Sequence, residues 1–199
     1  MLLFDDYDIK VYAAPLRKGA SGHGPGRSIA ERAGVKALLR EAFPERRDIY
    51  VAHRESGAPY LASLSGVEED LPEISISHSR TLVVLALAPG GTALGIDTET
   101  PDRASQLVRL APRFLSDAQI PYWGSSPATL FWAWTIKEAV YKAAGRPGFP
   151  VKEIPLPMEV PLEMVTEDGT VTVDSRIYYV FQIHCPDPYG MLMLVFSAG

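Results

Sequence analysis

The chain is poor in cysteine and in long apolar runs. Cys185 is the only cysteine among 199 residues, so no internal disulfide is possible, and we interpret it as a small residue of a C-terminal strand. The longest mainly apolar run, residues 82–88, suits a buried strand and falls far short of the about 20 residues that span a membrane. Residues 1–10 carry three aspartates and no basic region before an apolar run, so they do not resemble a secretory signal. We therefore expect a cytoplasmic protein without a membrane partner.

Positive charge is also in deficit over the whole chain. Nineteen Lys and Arg residues face 24 Asp and Glu residues, a net charge of −5, which argues against nucleic-acid binding. Between Arg17 and Arg54, however, nine basic residues face four acidic ones. This stretch is basic enough for an anionic ligand, although for Lys36, Arg40, Arg46 and Arg47 we favour a solvated helix face.

The order of the predicted elements indicates an α+β fold made of two similar halves. The first helix is predicted to begin at Ser28, in a capping-box pattern, and strands are predicted at 74–78, 81–88 and 92–98. Further helices are predicted at 104–115 and 127–144, the second with Ser125 or Ser126 as N-cap and Gly145 as C-cap, and the remainder reads as strands. Each half thus offers a helix and a small, mainly antiparallel sheet. We place the boundary at the Pro89-Gly90-Gly91 turn, which gives halves 1–91 and 92–199.

Two acidic residues follow each other at strand spacing in Gly95-Ile96-Asp97-Thr98-Glu99. On a strand, Asp97 and Glu99 project from one face, and two such carboxylates repel each other unless a cation lies between them. Oxygen ligands of this kind suit Mg²⁺. By itself, however, the pair is more typical of a solvent-facing strand.

The predicted helix at 127–144 places Trp134, Glu138 and Lys142 along one face, while Ile136 and Val140 occupy another and are expected to be core. Taken alone, Glu138 and Lys142 are an ordinary i,i+4 ion pair, worth about 0.3–0.5 kcal/mol on an exposed helix.

Together these two segments resemble the Sfp-type 4′-phosphopantetheinyl transferases, whose signature is a G-[IV]-D-x-E strand followed by a W-x-x-K-E-[AS]-x-x-K helix. The chain has Gly95 to Glu99 and then Trp134 to Lys142 in that pattern. Upstream, Ile76-Ser77-His78-Ser79 is similar to the family's [IV]-S-H-S strand end, and Gly57-Ala58-Pro59 is similar to its G-K-P turn. Arg27 and Ser28 resemble the pair that opens its first helix. Ala58 departs from the lysine that family members often have, which puts coenzyme A affinity in doubt.

The resemblance implies an enzyme that moves the 4′-phosphopantetheine group of coenzyme A onto a serine of an apo acyl or peptidyl carrier protein, releasing 3′,5′-ADP with Mg²⁺. It implies a pseudodimeric monomer with the active site in the cleft between the halves. Asp97, Glu99 and Glu138 are implied as metal ligands, with Glu138 and Lys142 as catalytic residues. The implied coenzyme A contacts are Arg17, Lys18, Arg27, Ser28, Arg54, Ser77, His78 and Lys142.

Two other interpretations of the function stay open. One is a different Mg²⁺-dependent phosphoryl or nucleotidyl transferase or a phosphohydrolase. The other is a degenerate member of the family that binds coenzyme A or a carrier protein without turnover. For the carrier itself, we predict docking through the apolar segment 110–123, with Ile120 and Trp123 in contact.

Overall fold

The computed structural model describes residues 1–16, 25–66, 70–157, 169–186 and 190–197, and of residues 25–28 it describes the backbone only. The strands are β1 (Leu2–Asp6), β2 (Ile9–Pro15), β3 (Ile49–His53), β4 (Pro59–Ser63), β5 (Glu73–His78), β6 (Leu82–Ala88), β7 (Leu94–Glu99), β8 (Thr170–Val173), β9 (Arg176–Ile183) and β10 (Met191–Ser197). The helices are α1 (Pro25–Ala42), α2 (Ala104–Phe114), α3 (Ile120–Trp123) and α4 (Pro127–Ala144), with 3-10 turns at Pro101–Arg103 and Val151–Glu153. Helices and antiparallel strands together confirm the α+β class.

The strands form two four-stranded antiparallel sheets and one hairpin. The first sheet has the order β1-β2-β6-β5, the second has the order β7-β10-β9-β8, and β3 pairs with β4. Each sheet contains the same arrangement of a strand, then an 18-residue helix, then two strands of which the last inserts between the other two. In the first half these elements are β2, α1, β5 and β6, and in the second they are β7, α4, β9 and β10. The chain passes from one sheet to the other between β6 and β7.

The two sheets pack against each other, and each carries its helix on the opposite face. Along β6, Leu82, Val84, Ala86 and Ala88 enter the core between the sheets, while Val83, Leu85 and Leu87 pack with Leu38 and Leu39 of α1. Along β10, Leu192, Leu194 and Phe196 face the other sheet, while Met193 and Val195 pack under α4. Because both faces of these strands are buried, β6 and β10 read as continuous apolar runs rather than alternating ones.

Helix α4 begins and ends where its caps predict. The Ser126 side chain accepts a hydrogen bond from the backbone N–H of Thr129, Pro127 opens the helix, and Gly145 closes it with φ 61°, in the left-handed region. The predicted bounds 127–144 are confirmed. The prediction for α1 is wrong at its start, because the helix begins at Pro25 and Ser28 lies inside its first turn rather than before it.

Lys137 is fully buried inside the second half. Its ammonium donates to the carbonyl oxygens of Val151, Lys152 and Ile154, at 3.0, 3.2 and 2.5 Å. Burial lowers the pKa of Lys137 to about 7, and the three carbonyl groups supply the acceptors that the ammonium form requires. Lys137 therefore ties α4 to the 3-10 turn at Val151–Glu153.

We expect Lys137→Met to lower the free energy of unfolding by about 1–3 kcal/mol, because methionine fills the same space but leaves these carbonyl oxygens without a donor. Chemical denaturation of the full chain measures the change. Lys10→Met is the matched control, since that side chain is half exposed and forms a surface ion pair with Asp5 at 3.6 Å. Equal stabilities of the two variants would contradict the anchoring role.

Candidate active site

Strands β5 and β7 are edge strands of different sheets, and two serine hydroxyl groups of β5 join them. The Ser75 hydroxyl accepts from the backbone N–H of Ile96 at 3.0 Å, and the Ser77 hydroxyl accepts from that of Thr98 at 3.3 Å. Both serines are buried, as a satisfied polar side chain between two sheets has to be. The position of β7 relative to the first half is fixed by these contacts.

Gly95 brings α4 against the other face of β7. A Cβ atom at this position would overlap the carbonyl oxygen of Ala139 and lie 2.8 Å from the backbone nitrogen of Ala143. Only glycine permits this approach. The residues that follow at strand spacing, Asp97 and Glu99, therefore face the helix and lie beside Glu138.

The Asp97 carboxylate is held on one side and free on the other. Its Oδ1 accepts from the Ser77 hydroxyl and from the Lys142 ammonium, each at 2.8 Å, and Lys142 also donates to the carbonyl oxygen of Ile96 at 2.9 Å. Asp97 Oδ2 is buried and makes no hydrogen bond to any of the described residues. A buried carboxylate oxygen that has no hydrogen-bond donor is available to a ligand from outside the protein.

Glu99 is occupied by different partners. Arg103 Nη1 donates to Glu99 Oε1 in an ion pair, and the Trp134 indole donates to the same oxygen at 3.2 Å. The Trp134 ring packs edge-on against Phe114, with ring centroids 5.2 Å apart, which fixes the indole. Burial raises the pKa of Glu99, Arg103 opposes this and Asp97 adds to it, which leaves the pKa at about 7.

Glu138 completes the group on the helix side. Burial raises the pKa of Glu138, and the negative charge of Asp97 raises it further. Its carboxylate forms no hydrogen bond or ion pair with the described part of the chain, whereas Asp97 and Glu99 each have a cationic partner. Glu138, Asp97 and Glu99 line one cavity of about 300 Å³, together with Lys142 and Arg103.

This arrangement bears on the predicted metal site in two ways. Within the described ranges, no three His, Cys, Asp or Glu side chains are grouped closely enough to hold a metal ion. Two of the three carboxylates are instead paired with cationic side chains, Glu99 with Arg103 and Asp97 with Lys142. The donor set nevertheless fits a hard cation, because three carboxylates border one cavity and Asp97 Oδ2 is buried and unpartnered.

A second and larger cavity of about 1240 Å³ adjoins this one, and its charge is positive. Of the residues that the structure describes, it is lined by seven Lys and Arg residues, namely Arg32, Lys36, Arg47, Arg54, Lys142, Arg146 and Arg176, against two acidic residues, Asp48 and Glu73. Ile76, His78 and Lys142 line both cavities, so the basic cavity adjoins the carboxylate cavity at these residues. Lys36 and Arg47 border this cavity, and both are exposed to solvent.

The predicted coenzyme A contacts separate into three groups. Arg54, His78 and Lys142 line the large cavity, and the guanidinium of Arg54 lies over the Tyr60 ring, 5.1 Å from its centroid. Ser77 lines the carboxylate cavity, where its hydroxyl is engaged with Asp97. Arg17 and Lys18 lie outside the described residues, as do the side chains of Arg27 and Ser28.

Sequence reasoning missed Arg103 and misjudged Trp123. Arg103 stands four residues after Glu99. This spacing brings the two side chains together only because a 3-10 turn follows β7. Trp123 is 3% exposed and belongs to the core beneath α4, so it offers no surface to a carrier protein, whereas Ile120 is 40% exposed. The sequence alone does not show whether an aromatic residue in a short connection is buried or exposed.

Comparison with known families supports what the site suggests. Residues 93–165, which contain Asp97, Glu99, Glu138 and Lys142, match the family model of the 4′-phosphopantetheinyl transferase superfamily. The resemblance read from the sequence is thereby confirmed at the level of the superfamily. No curated protein matches the chain. Among the described helices, none is long and apolar enough to cross a membrane.

Proposed function

We propose that the protein transfers the 4′-phosphopantetheine group of coenzyme A to a serine of an apo acyl or peptidyl carrier protein, in a Mg²⁺-dependent reaction that releases 3′,5′-ADP. The observation that carries this proposal is the junction of a basic cavity with a carboxylate cavity at His78 and Lys142. The basic cavity offers cationic contacts to a ligand that carries phosphate groups along its length. Phosphoryl transfer to the carrier would take place where that cavity adjoins the carboxylate cavity. The superfamily match over residues 93–165 supports the same chemistry.

In this proposal the two halves, residues 1–91 and 92–199, form a pseudodimer within one monomer, and coenzyme A lies in the cleft between them. The repeated strand, helix and two-strand arrangement of the sheets supports that division. The first half contributes Arg54 and His78, and the second contributes Lys142, Arg146 and Arg176 to the same cavity.

Asp97, Glu99 and Glu138 are the residues that would hold the Mg²⁺, which neutralises charge on the pyrophosphate when bound. Lys142 lines both cavities, and its ammonium can reach a phosphate oxygen in exchange for one of its two present acceptors. The Ser77 hydroxyl holds Asp97 in place from the first half. Phosphoryl transfer depends mostly on such positioning and charge neutralisation.

In the reaction, the carrier serine oxygen forms a bond to the β-phosphorus of coenzyme A. The bond from that phosphorus to the bridging oxygen breaks, and the electron pair leaves with 3′,5′-ADP. Glu138 lines the cavity, forms no hydrogen bond with the described residues and is the candidate to receive the serine proton, directly or through water. Metal ligation remains its main proposed role.

The deciding experiment incubates the protein with coenzyme A, Mg²⁺ and an apo carrier protein and then weighs the carrier. We expect a mass gain of one phosphopantetheine that disappears when a chelator replaces Mg²⁺. Nucleotide hydrolysis without a carrier adduct would favour the other phosphoryl or nucleotidyl transferase or the phosphohydrolase. Binding of coenzyme A or carrier with neither reaction would indicate a degenerate module.

We expect Arg54→Ala to raise the KM for coenzyme A by about tenfold or more and to change the KM for 3′-dephospho-coenzyme A much less. The guanidinium lines the basic cavity and packs on Tyr60, and a charge-assisted contact to a phosphate is worth about 1.5–3 kcal/mol. Steady-state kinetics with both substrates measures the difference. Arg109→Ala, an exposed position on α2, is the control, and equal losses with both substrates would place the 3′-phosphate elsewhere.

The carrier is proposed to dock beside the carboxylate cavity through the exposed part of the α3 region. Ile120 and Tyr122 are 40% and 61% exposed there. Trp123 is excluded from that contact by its burial.

A further inference from the structure

Glu99 is neutralised inside the protein by a guanidinium group. Arg103 Nη1 donates to Glu99 Oε1, and the Trp134 indole donates to the same oxygen. The Arg103 guanidinium also lies over the Trp134 ring, 5.7 Å from its centroid. The carboxylate, the indole and the guanidinium therefore form one mutually contacting group at the wall of the carboxylate cavity.

Arg103 reaches Glu99 from the rim of the site rather than from its core. It ends the 3-10 turn Pro101–Arg103, its side chain is 29% exposed, and Glu99 is 8% exposed. Its Nε donates to the Gln106 side-chain oxygen at 3.2 Å, so one part of the guanidinium is already held by α2. An arginine placed in this way can leave the carboxylate without loss of core packing.

A divalent cation and this guanidinium compete for Glu99. Two positive groups within a few ångströms of each other repel strongly in a partly buried site, and both would draw on one carboxylate. Lys142 pairs with Asp97 through Oδ1 in a similar way, while Asp97 Oδ2 forms no hydrogen bond with the described residues. Of these two cationic partners, only Arg103 lies outside the residues assigned to catalysis, so its competition with a cation at Glu99 can be tested by substitution.

We infer that Arg103 is a built-in competitor of the divalent cation at Glu99, so that the strength of the Arg103–Glu99 pair sets the cation affinity of the cavity. This inference rests on the proposed Mg²⁺ site. It assigns to Arg103 a role in setting the affinity for the cation, which none of the signature residues has. Removing the positive charge strengthens cation binding, whereas removal of a merely structural residue would weaken it.

The test is a titration of the full chain with Mn²⁺, without coenzyme A or carrier protein. Electron paramagnetic resonance reports free Mn²⁺, and tryptophan fluorescence reports the surroundings of Trp134. We expect Arg103→Gln to bind Mn²⁺ about tenfold more tightly than the wild type, which corresponds to about 1.4 kcal/mol. Glutamine keeps an amide that can still donate to Glu99. Arg109→Gln, the same change further along α2, is expected to leave the affinity unchanged.

Arg103→Lys keeps the charge, and we expect it to bind Mn²⁺ within a few-fold of the wild type, which guards against a folding defect in the glutamine variant. The fluorescence response to Mn²⁺ is expected to disappear in Trp134→Phe. Equal or weaker Mn²⁺ binding by Arg103→Gln overturns the inference, and so does the absence of binding in both proteins. Tighter binding by Arg103→Gln together with no carrier modification by the wild type would leave the inference standing and remove the proposed function.

Discussion

Glu138→Gln is expected to slow carrier modification by a hundred- to a thousandfold without lowering the free energy of unfolding. The loss of rate follows from the position of Glu138, which borders the carboxylate cavity on the helix side. One preorganised charged group at a phosphoryl-transfer site is typically worth on the order of 10² to 10³ in rate. Glutamine has the same shape but provides neither the charge for a cation nor a base for the serine proton.

The stability of this variant is expected to be unchanged or higher, because burial and the charge of Asp97 outweigh the attraction that Lys142 and Arg103 exert on the Glu138 carboxylate. Its pKa is raised by burial and by the charge of Asp97, so the folded protein holds the proton more tightly than the unfolded chain does. Above the ordinary carboxyl pKa of 4.5, ionising Glu138 therefore costs folding free energy, and an uncharged amide avoids that cost. The same argument does not extend to Asp97, which accepts two hydrogen bonds that a substitution would break.

The measurements are the rate of phosphopantetheine addition by mass spectrometry and unfolding in denaturant. Glu153→Gln is the matched control, since Glu153 is exposed on the 3-10 turn after α4 and is expected to leave both quantities unchanged. Near-normal turnover of Glu138→Gln with Mg²⁺ present would show that the carboxylate is not part of the reaction.

Much of the second half could be predicted because its signals are local. The caps at Ser126 and Gly145 set both ends of α4, and a chain reversal at Gly90-Gly91 separates β6 from β7. Spacing alone places Asp97 and Glu99 on one face of a strand, and the structure brings that face to Glu138. Local rules could not predict why β7 and α4 meet. They meet closely because Gly95 contacts the helix backbone.

The two hairpins of the first half, β1–β2 and β3–β4, were missed for different reasons. Tyr7 and Asp8 join β1 to β2 with φ values of 53° and 58°, a conformation that two-residue hairpins usually assign to Asn-Gly or Asp-Gly. The strands β3 and β4 are five residues each and only partly buried, so neither shows a clear alternation. Their pairing depends on tertiary packing against the rest of the fold.

The polar contacts around the carboxylates could not be predicted from the sequence, for a different reason. Ser77 and Asp97 are twenty residues apart and belong to different sheets, so their hydrogen bond depends on how the sheets pack. From the motif alone, Ser77 was expected to contact coenzyme A, and that role stays a prediction. Its observed partner shows that a signature can combine residues that bind a ligand with residues that hold its neighbours.

Gly95→Ala is expected to have the largest structural effect of any single methyl group added to this site. The new Cβ would overlap the Ala139 carbonyl oxygen and lie 2.8 Å from the Ala143 nitrogen, and both are backbone atoms of α4 that no side-chain rotation can move. The helix must therefore shift away from β7. We expect the free energy of unfolding to fall by about 3 kcal/mol, the upper part of the usual cost of overpacking, and Tm to fall by about 6–12 °C.

The same shift is expected to reduce transfer by about a hundredfold or more in the fraction that remains folded, because it moves Glu138 and Lys142 away from Asp97, and a displacement of about 1 Å is enough for such a loss. Thermal unfolding and the carrier mass assay, run below the Tm of the variant, measure the two effects. Gly90→Ala, in the turn that precedes β7, is the control, since the nearest atom to its Cβ is the Asp70 side-chain oxygen at 3.1 Å, which can rotate away. If Gly95→Ala and Gly90→Ala lose equally little stability and activity, then the close approach of β7 and α4 is not what positions the carboxylates.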